Sequence, residues 1–186
     1  RSAANPILVY DTTTLQAVNS GRDKHYKLVA DVDASGTNWV PIGGISLYFT
    51  GSFDGGGHEV TYEIAGEATG GNLGLFGYIG DTGEVKNLAV AGEIAVNRPY
   101  STYAGGVAGN SYGSVTDCFS SVTVSVTSPA TSSVGGIVGD MLGGSIERCI
   151  ADGDVAVSGS SPPRAGGIVG IVQSSCTLRD NVALNP

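Results

Sequence analysis

The sequence predicts an all-β protein built as a solenoid, in which short parallel strands stack coil upon coil. Three observations predict this class. The 186 residues include 30 glycines, and Val, Ile, Thr, Ser and Tyr dominate between them, a mixture that favours strands and tight turns over helices. A glycine phrase recurs at a nearly fixed interval of about thirty residues. After each phrase, apolar and polar residues alternate with the period of a strand.

The glycine phrase has the form Gly-x-x-Gly and occurs four times. The copies start 32, 30 and 31 residues apart and occupy residues 74–77, 106–109, 136–139 and 167–170. A fixed period of this length is the signature of a solenoid, whose repeats bury their faces against their neighbours. The alternative is a glycine-rich β-sandwich, but sandwiches usually show closely spaced turn signals without a shared longer period.

A corner is predicted after each phrase. An apolar residue such as Val85 is followed three positions later by a second inward residue such as Leu88. Because a flat strand alternates faces with period two, a step of three requires a bend to keep both residues inside. The residues just before the second site are Asn87, Asp117, Arg148 and Asp180. Three of these four are Asn or Asp, which tolerate left-handed backbone conformations.

The alternation beyond each corner predicts aligned inward faces in successive coils. The inward residues are Leu88, Val90, Gly92, Ile94 and Val96 in one repeat, Cys118, Ser120, Val122, Val124 and Val126 in the next, and Cys149, Ala151, Gly153, Val155 and Val157 in the third. The opposite faces carry Glu93, Thr123, Ser125, Asp152 and Asp154. We expect these rungs to lie about 4.8 Å apart in parallel sheets.

The two ends of the stack differ. Residues 11–21 (DTTTLQAVNSG) predict a short helix with Thr13 and Gln16 as a capping box, Leu15 and Val18 on one face, and Gly21 as its stop. This helix would close the N-terminal end. Residues 177–186 are a truncated fourth repeat without a cap, so we expect the natural polypeptide to continue or another domain to dock there.

The composition excludes some classes of function. The net charge is −8 and the nine Lys and Arg residues are scattered, which argues against a nucleic-acid partner. No apolar run approaches the roughly 18 residues of a membrane span, so membrane insertion is not expected. No signal peptide is visible, and because the chain starts at Arg1 we expect a processed chain or a piece of a longer one.

Several stretches resemble the GLUG repeat family. They are WVPIG (39–43), FTGSFDGGGHEVTYEI (49–64) and GLFGYIGDTGEVKNLAVAG (74–92), with the later glycine phrases as degenerate copies. The resemblance covers roughly residues 8–185. It implies a right-handed parallel β-helix in a secreted or cell-surface bacterial protein. Such modules occur in adhesin-like proteins and in N-terminal regions of metallopeptidases that cleave immunoglobulin A. The family supplies no catalytic residues to carry over, and this chain lacks the HExxH zinc-peptidase motif.

Three tyrosines are the candidate recognition surface. Tyr100, Tyr103 and Tyr112 surround one repeat, and exposed tyrosines suit contacts with sugars or proteins. The alternative is that they pack over the turns. Residues 158–167 predict a further protruding loop without chemistry of its own.

Two loops resemble functional sites, but we interpret both as turns. A calcium loop is superficially matched by Asp31, Asp33, Ser35 and Gly36. The twelfth position, however, is Ile42, where a bidentate Glu is required. In FDGGGH (53–58), Asp54 and His58 lie four residues apart, a spacing that suits an acid–base pair or two metal ligands. The favoured interpretation is a turn whose amides bond that aspartate.

Acidic residues and cysteines leave further alternatives open. Asp117, Glu147 and Asp180 recur near one corner, either as a solvated edge, which we favour, or as part of an active site. Cys118 and Cys149 occupy equivalent inward positions, as buried thiols or, less favourably, as a disulfide. Cys176 has no repeat equivalent.

We therefore expect a single domain over residues 1–186, with a cap and lead-in at 1–38 and repeats at 39–186. Its expected function is that of a non-catalytic extracellular structural or adhesion module, secreted or at the cell surface, of a larger bacterial protein. It would need no cofactor or metal and would contact a host protein, a glycan or other domains of its own polypeptide. The alternatives are a substrate-positioning accessory domain of an immunoglobulin-cleaving peptidase and a carbohydrate-active β-helix enzyme.

Overall fold

The computed structural model describes residues 2–66, 70–159, 162–173 and 175–185. Strands account for 52% of the chain and helix for 5%, and together they form a parallel β-solenoid of about five turns. The predicted fold class is confirmed, including a short helix near the N-terminus.

The helical segment consists of α1 (Thr12–Gln16) and a 3-10 turn (Ala17–Ser20). The strands of the described residues are β1 (Ile7–Val9), β2 (His25–Leu28), β3 (Val32–Asn38), β4 (Ser52–Asp54), β5 (Glu59–Ala65), β6 (Asn72–Leu73), β7 (Phe76–Ile79), β8 (Glu84–Lys86), β9 (Ala89–Asn97), β10 (Tyr103–Gly105), β11 (Ala108–Ser111), β12 (Ser114–Thr116), β13 (Phe119–Ser120), β14 (Thr123–Thr127), β15 (Ser133–Gly135), β16 (Val138–Met141), β17 (Gly144–Glu147), β18 (Ile150–Ala151), β19 (Val155–Ser158), β20 (Arg164–Gly166), β21 (Val169–Val172), β22 (Cys176–Arg179) and β23 (Val182–Ala183).

These strands form four sheets that run along the stack. The first has the order β1-β2-β4-β8-β12-β17-β22. The second contains β3, β5 and β9, then β13 and β14, and finally β18, β19 and β23. The third has the order β6-β10-β15-β20 and the fourth β7-β11-β16-β21. The first two sheets begin within residues 7–38, so the lead-in contributes strands of its own.

The register of the sheets confirms the predicted columns. Val124 pairs with Ile94 in the preceding coil and with Val155 in the following one. In the fourth sheet, Ala108 pairs with Phe76 and Val138, at the intervals read from the glycine phrase. In these columns each coil places apolar side chains over those of its neighbour, and the parallel pairing satisfies the backbone groups.

The inward faces form one continuous apolar core. Val90, Val122 and Val124 are fully buried, whereas Glu93 and Asp152 on the opposite face are exposed. Towards the N-terminal end the core is aromatic: the ring of Phe76 lies 4.9 Å from that of Phe49 and 5.6 Å from that of Phe53. In the next coil, Ala108 pairs in register with Phe76, so a small residue takes the place of the ring.

The first glycine of each later phrase contacts the opposite wall of the solenoid. A Cβ atom on Gly106 would lie 2.0 Å from Oγ of Ser120, and one on Gly136 would lie 2.5 Å from Cβ of Ala151. Since real Cβ atoms do not approach other atoms so closely, a larger residue would force the walls apart. These glycines thus allow the close approach of the two walls.

The last glycine of each phrase allows two sheets to touch through their backbones. A Cβ atom on Gly109 would lie 2.6 Å from the Leu73 nitrogen, and one on Gly139 would lie 2.5 Å from the Ala104 nitrogen. The fourth sheet therefore packs directly on the third, with the glycines as the contact surface.

The predicted corner is present in all four repeats. The φ angles of Asn87, Asp117, Arg148 and Asp180 are 52°, 53°, 53° and 55°. In the first three repeats the residues on either side of the corner, such as Val85 and Leu88, are buried as the step of three requires, whereas Leu178 in the last repeat is 46% exposed. Arg148 adopts the same left-handed conformation as the Asn and Asp residues, although its side chain does not favour it.

The helix caps the N-terminal end, but its predicted capping box is wrong. The N-cap is Asp11, whose carboxylate accepts a 2.7 Å bond from the Thr14 amide, and the Thr14 hydroxyl accepts a bond from the Asp11 amide. Thr13 and Gln16 lie inside the helix, because the extended backbone ends at Asp11. The predicted face is correct, since Leu15 and Val18 are fully buried, and Gly21 ends the 3-10 turn.

Candidate recognition surfaces

An ion pair links the corners of two adjacent coils. Arg148 donates from Nε and from one terminal nitrogen to the two carboxylate oxygens of Asp117, over 2.7 and 2.8 Å, and also lies 3.4 Å from a Glu147 oxygen. Arg148 and Asp117 are about half exposed. The guanidinium bonds hold the pKa of Asp117 below its usual value. Asp117 is therefore held as an ionised partner and is poorly suited to act as a general acid.

A shallow groove follows this corner. An outward row of apolar residues lies beside it, because Phe119 pairs with Ala89 in one neighbouring strand and with Ile150 in the other. Phe119 is partly exposed and Ile150 is 39% exposed. The groove has a volume of about 440 Å³, and its lining residues are Gly57, Asn87, Leu88, Ala89, Asp117, Cys118, Phe119, Arg148 and Ile150. It places an apolar row alongside a polar one.

In the glycine loop, Asp54 takes the role expected of a turn residue. Its carboxylate accepts 3.0 Å bonds from the Gly56 amide and from Nδ2 of Asn87. Partial burial raises the pKa of Asp54. The two hydrogen bonds and the nearby lysines outweigh this effect, so the pKa is lowered overall. His58 does not pair with Asp54: its Nδ1 lies 3.1 Å from a carboxylate oxygen of Asp31, a contact across coils that the sequence did not reveal.

The aspartates of the calcium-like loop already have partners, Asp33 within the loop and Asp31 in the next coil. Asp33 accepts bonds from the amide and hydroxyl of Ser35, over 3.0 and 2.6 Å, which lower its pKa. Asp31 accepts a 3.0 Å bond from the Glu59 amide, which, with the His58 bond, lowers the pKa of Asp31. Within the described residues, no group of three or more His, Cys, Asp or Glu side chains is placed to hold a metal ion.

The three tyrosines of the predicted recognition surface have different surroundings. Tyr100 is 65% exposed, and the Arg98 guanidinium lies 6.0 Å from its ring centre. Tyr103 is partly buried within β10. Tyr112 instead lies 6.0 Å from the ring of Tyr78, which in turn lies 4.4 Å from that of Tyr48. Sequence reasoning missed this aromatic row, because it joins residues from three successive coils.

A buried carboxylate was also missed. Asp140 is 6% exposed and pairs in register with Asn110, whose Oδ1 is buried and has no partner among the described residues. Burial raises the pKa of Asp140, against a 3.4 Å bond from Gln173 and the charge of Arg164. The sequence could have indicated this buried carboxylate, because the equivalent positions in other coils are Tyr78 and Ile171 rather than charged residues.

The cysteines are free thiols in the structure. Cys118 and Cys149 are buried in adjacent coils, as the favoured interpretation predicted, and Cys176 is partly buried. The neighbouring Cys149 thiol and burial raise the pKa of Cys118. The two inner thiols act as small apolar residues of the core.

These features define the chain as a repeat protein of the parallel β-solenoid class. The GLUG motif matches residues 100–125, which include one of the predicted copies of the phrase. The resemblance to the GLUG repeat family is confirmed by this match. No helix of the described residues is long and apolar enough to cross a membrane.

Two relatives are much longer than this chain. A candidate Gly-rich membrane protein of Evansella cellulosilytica is 32% identical over 59% of this chain and 14% of its own length. Halomucin of Haloquadratum walsbyi is 29% identical over 82% of this chain and 2% of its own length. The chain thus spans a small part of the relatives that it matches.

A solved structure has the same fold. The crystal structure of a candidate immunoglobulin A1 protease from Bacteroides ovatus superposes with a TM-score of 0.72. The alignment covers 99% of this chain and 67% of that chain, at 23% sequence identity. At this identity the likeness establishes the fold alone.

Proposed function

We propose that this chain is a rigid, non-catalytic module of a larger bacterial surface or secreted protein, where it holds other parts at a fixed spacing and presents a surface for recognition. The observation that carries the proposal is the continuous register of the sheets. In the first sheet, seven strands stack in one order from Ile7 to Arg179. A stack that buries each coil against the next resists bending, because bending would open its core.

Four aspartates at the corner and in the loops support a non-catalytic role. Glycoside hydrolysis requires one carboxyl group that gives up a proton and a second one facing the same bond. Asp117 is fixed in its ion pair with Arg148, and Asp31, Asp33 and Asp54 accept bonds from nearby loop and turn groups. This argues against the carbohydrate-active enzyme that the sequence left as an alternative.

The names of the relatives favour a surface location. One is named as a Gly-rich membrane protein and the other as halomucin, and both are far longer than this chain. A secreted or surface-attached parent protein accounts for a repeat module with few charged residues that occupies a small part of a large polypeptide. The second candidate is an accessory domain that positions substrate for a peptidase, as the name of the solved neighbour suggests.

A distance measurement tests rigidity. Lys27 and Arg179 are exposed and lie in one column of the first sheet, five strand spacings apart. Spin labels on Lys27→Cys and Arg179→Cys, in a Cys176→Ser background, should show a narrow distance distribution. The expected backbone separation is about 24 Å. A broad distribution would contradict a rigid spacer.

An activity measurement tests the non-catalytic role. The chain is incubated with immunoglobulin A and, separately, with an acidic polysaccharide, and products are followed by mass spectrometry. We expect no cleavage of either. Cleavage that requires Asp117 or Asp54 would show an enzyme. If the parent protein cleaves immunoglobulin A and loses affinity for it without this chain, the substrate-positioning role would replace the spacer role.

A further inference from the structure

The groove beside the corner has the make-up of a ligand site that the spacer role does not use. Its apolar row is centred on Phe119, with Ala89 and Ile150 on the strands to either side. Its polar row contains Asn87, Asp117 and Arg148. Because consecutive members of each row come from consecutive coils, the two rows run side by side along the stack, across the strands.

We propose that this groove binds a chain of neutral sugars, which rests on the proposed function as a surface module. Sugar rings present an apolar face of C–H groups and an edge of hydroxyl groups. The Phe119 ring offers an apolar surface to the C–H face of a sugar. The side chains of Asn87, Asp117 and Arg148 offer hydrogen-bond acceptors and donors to its hydroxyl groups. A small number of fixed polar groups beside an apolar surface is the usual composition of a ligand site.

The polar row is fixed before any ligand arrives. The guanidinium of Arg148 is held by two bonds to Asp117, and Nδ2 of Asn87 donates to Asp54 over 3.0 Å. Ordering these side chains therefore costs little on binding. The outer lone pairs of Asp117 and the remaining donors of Arg148 stay available, because both side chains are about half exposed.

The charges favour a neutral ligand. Among the lining residues, Arg148 is the basic side chain, and its charge is already balanced by Asp117. The chain as a whole carries a net charge of −8. An acidic polysaccharide would be repelled by the chain and would find no free cation in the groove.

The backbone argues against an extended peptide as the ligand. Extended peptides that add a strand to a sheet use unpaired backbone groups at its edge. Here the backbone is already paired from coil to coil: the Ala89 amide donates to His58, the Phe119 amide to Leu88, and the Ile150 amide to Cys118. Recognition in this groove must use side chains, which suits a ligand with hydroxyl groups rather than a strand.

The direction of the groove favours an oligomer over a single sugar. The two rows continue through at least three coils, with a spacing of about 4.8 Å between strands. A linear glycan that lies along the stack meets an apolar and a polar contact on each coil. A monosaccharide would meet one such set and should bind at least tenfold more weakly.

Calorimetric titration of the whole chain with neutral hexasaccharides of glucose, mannose and galactose tests the proposal. We expect at least one of them to bind, and Phe119→Ala to weaken that binding at least tenfold. Phe119→Tyr should retain it, and Tyr10→Ala, which alters an exposed tyrosine outside the groove, should leave it unchanged. Thermal unfolding confirms that each variant folds. Arg148→Ala, at an exposed position, provides a second variant that should also weaken binding.

Four results would overturn the proposal. They are no binding of any of the three hexasaccharides, binding that survives both Phe119→Ala and Arg148→Ala, a preference for an oligogalacturonate, and binding of a neutral extended hexapeptide in this groove instead. The label distance between positions 27 and 179 does not depend on any ligand. A narrow distance without sugar binding would reject the glycan site and leave the spacer role standing, whereas a broad distance would reject the spacer role itself.

Discussion

The guanidinium of Arg148 pairs with the carboxylate of Asp117 in the preceding coil, through two hydrogen bonds of 2.7 and 2.8 Å. Both residues occupy the left-handed corner position of their coils. The bond therefore joins two equivalent turns, 31 residues apart in the sequence, on the outside of the solenoid. It shows how the repeat brings distant residues into a fixed register, and it forms one side of the proposed glycan groove.

Removing the Asp117 charge should alter the acid stability of the protein. Arg148 lowers the pKa of Asp117 in the folded state, so the pair stabilises the fold above the ordinary value of 3.8. That stability is lost as the pH falls through the lowered pKa. We expect Asp117→Asn to be less stable than the wild type at pH 7 and equally stable near pH 2, as measured by urea denaturation.

Asp152→Asn is the matched control for that experiment, since Asp152 is an exposed acid on an outward face. It should not reproduce the pH-dependent difference. Because the Asp117 pair is exposed, its contribution should also shrink in 1 M salt. A difference between Asp117→Asn and the wild type that is the same at both pH values would contradict the role of the ion pair.

Glycine at the end of the phrase should be irreplaceable. The Cβ atom of Gly139→Ala would lie 2.5 Å from the Ala104 nitrogen and 2.8 Å from the Gly109 oxygen, and backbone atoms cannot move away cheaply. We expect a loss of about 3 kcal/mol in the free energy of unfolding. Gly36→Ala is the control, because a Cβ atom there meets open space. Equal stability of the two variants would show that the sheets are not in backbone contact.

The coil register could be predicted from the sequence because it rests on two local signals. The period of the glycine phrase fixes which residues stack, and the alternation after each corner fixes which of them face inward, as the pairing of Val124 with Ile94 and Val155 bears out. The corner conformation followed from Asn87, Asp117 and Asp180. For Arg148 it followed only from the position in the repeat, since arginine itself does not indicate a left-handed backbone.

The remaining features depend on contacts between coils, which no local pattern encodes. The row of Tyr48, Tyr78 and Tyr112 and the contact between His58 and Asp31 join residues about thirty positions apart. The capping box was placed at the wrong residues because both Thr13 and Asp11 are residue types that cap helices. Only the backbone shows that the helix begins after Asp11. The proposed groove likewise appears only when Phe119 is stacked on Ala89.

Neutralising Asp140 should stabilise the protein at neutral pH. Burial raises its pKa, so the folded state disfavours the charged form. This cost is absent below the ordinary value of 3.8 and grows as the pH rises through the raised folded pKa. We expect Asp140→Asn to be more stable than the wild type at pH 7 and equally stable at pH 3, as measured by thermal unfolding. A loss of stability at pH 7 would mean that the attraction of Arg164 outweighs burial.

The hydroxyl of Tyr62 should contribute to the closure of the solenoid. It is fully buried and donates a 2.6 Å hydrogen bond to the carbonyl of Gly106, in the phrase of the following repeat. Tyr62→Phe keeps the ring but removes this donor. We expect a loss of about 1 kcal/mol in the free energy of unfolding by urea. No loss would show that the bond across the interior contributes nothing net.

The most direct test of stacked, interchangeable coils is to delete one. Removing residues 106–135 joins Gly105 to Gly136, and because Gly105 pairs in register with Gly135, the remaining strands can stack without a break. Removing residues 106–120 is the control, since it leaves part of a coil. The spin-label distance between positions 27 and 179 is measured in both. The repeat architecture predicts that the first variant folds cooperatively with a distance shorter by about 4.8 Å, while the second does not fold. An unfolded first variant, or an unchanged distance in it, would contradict the account.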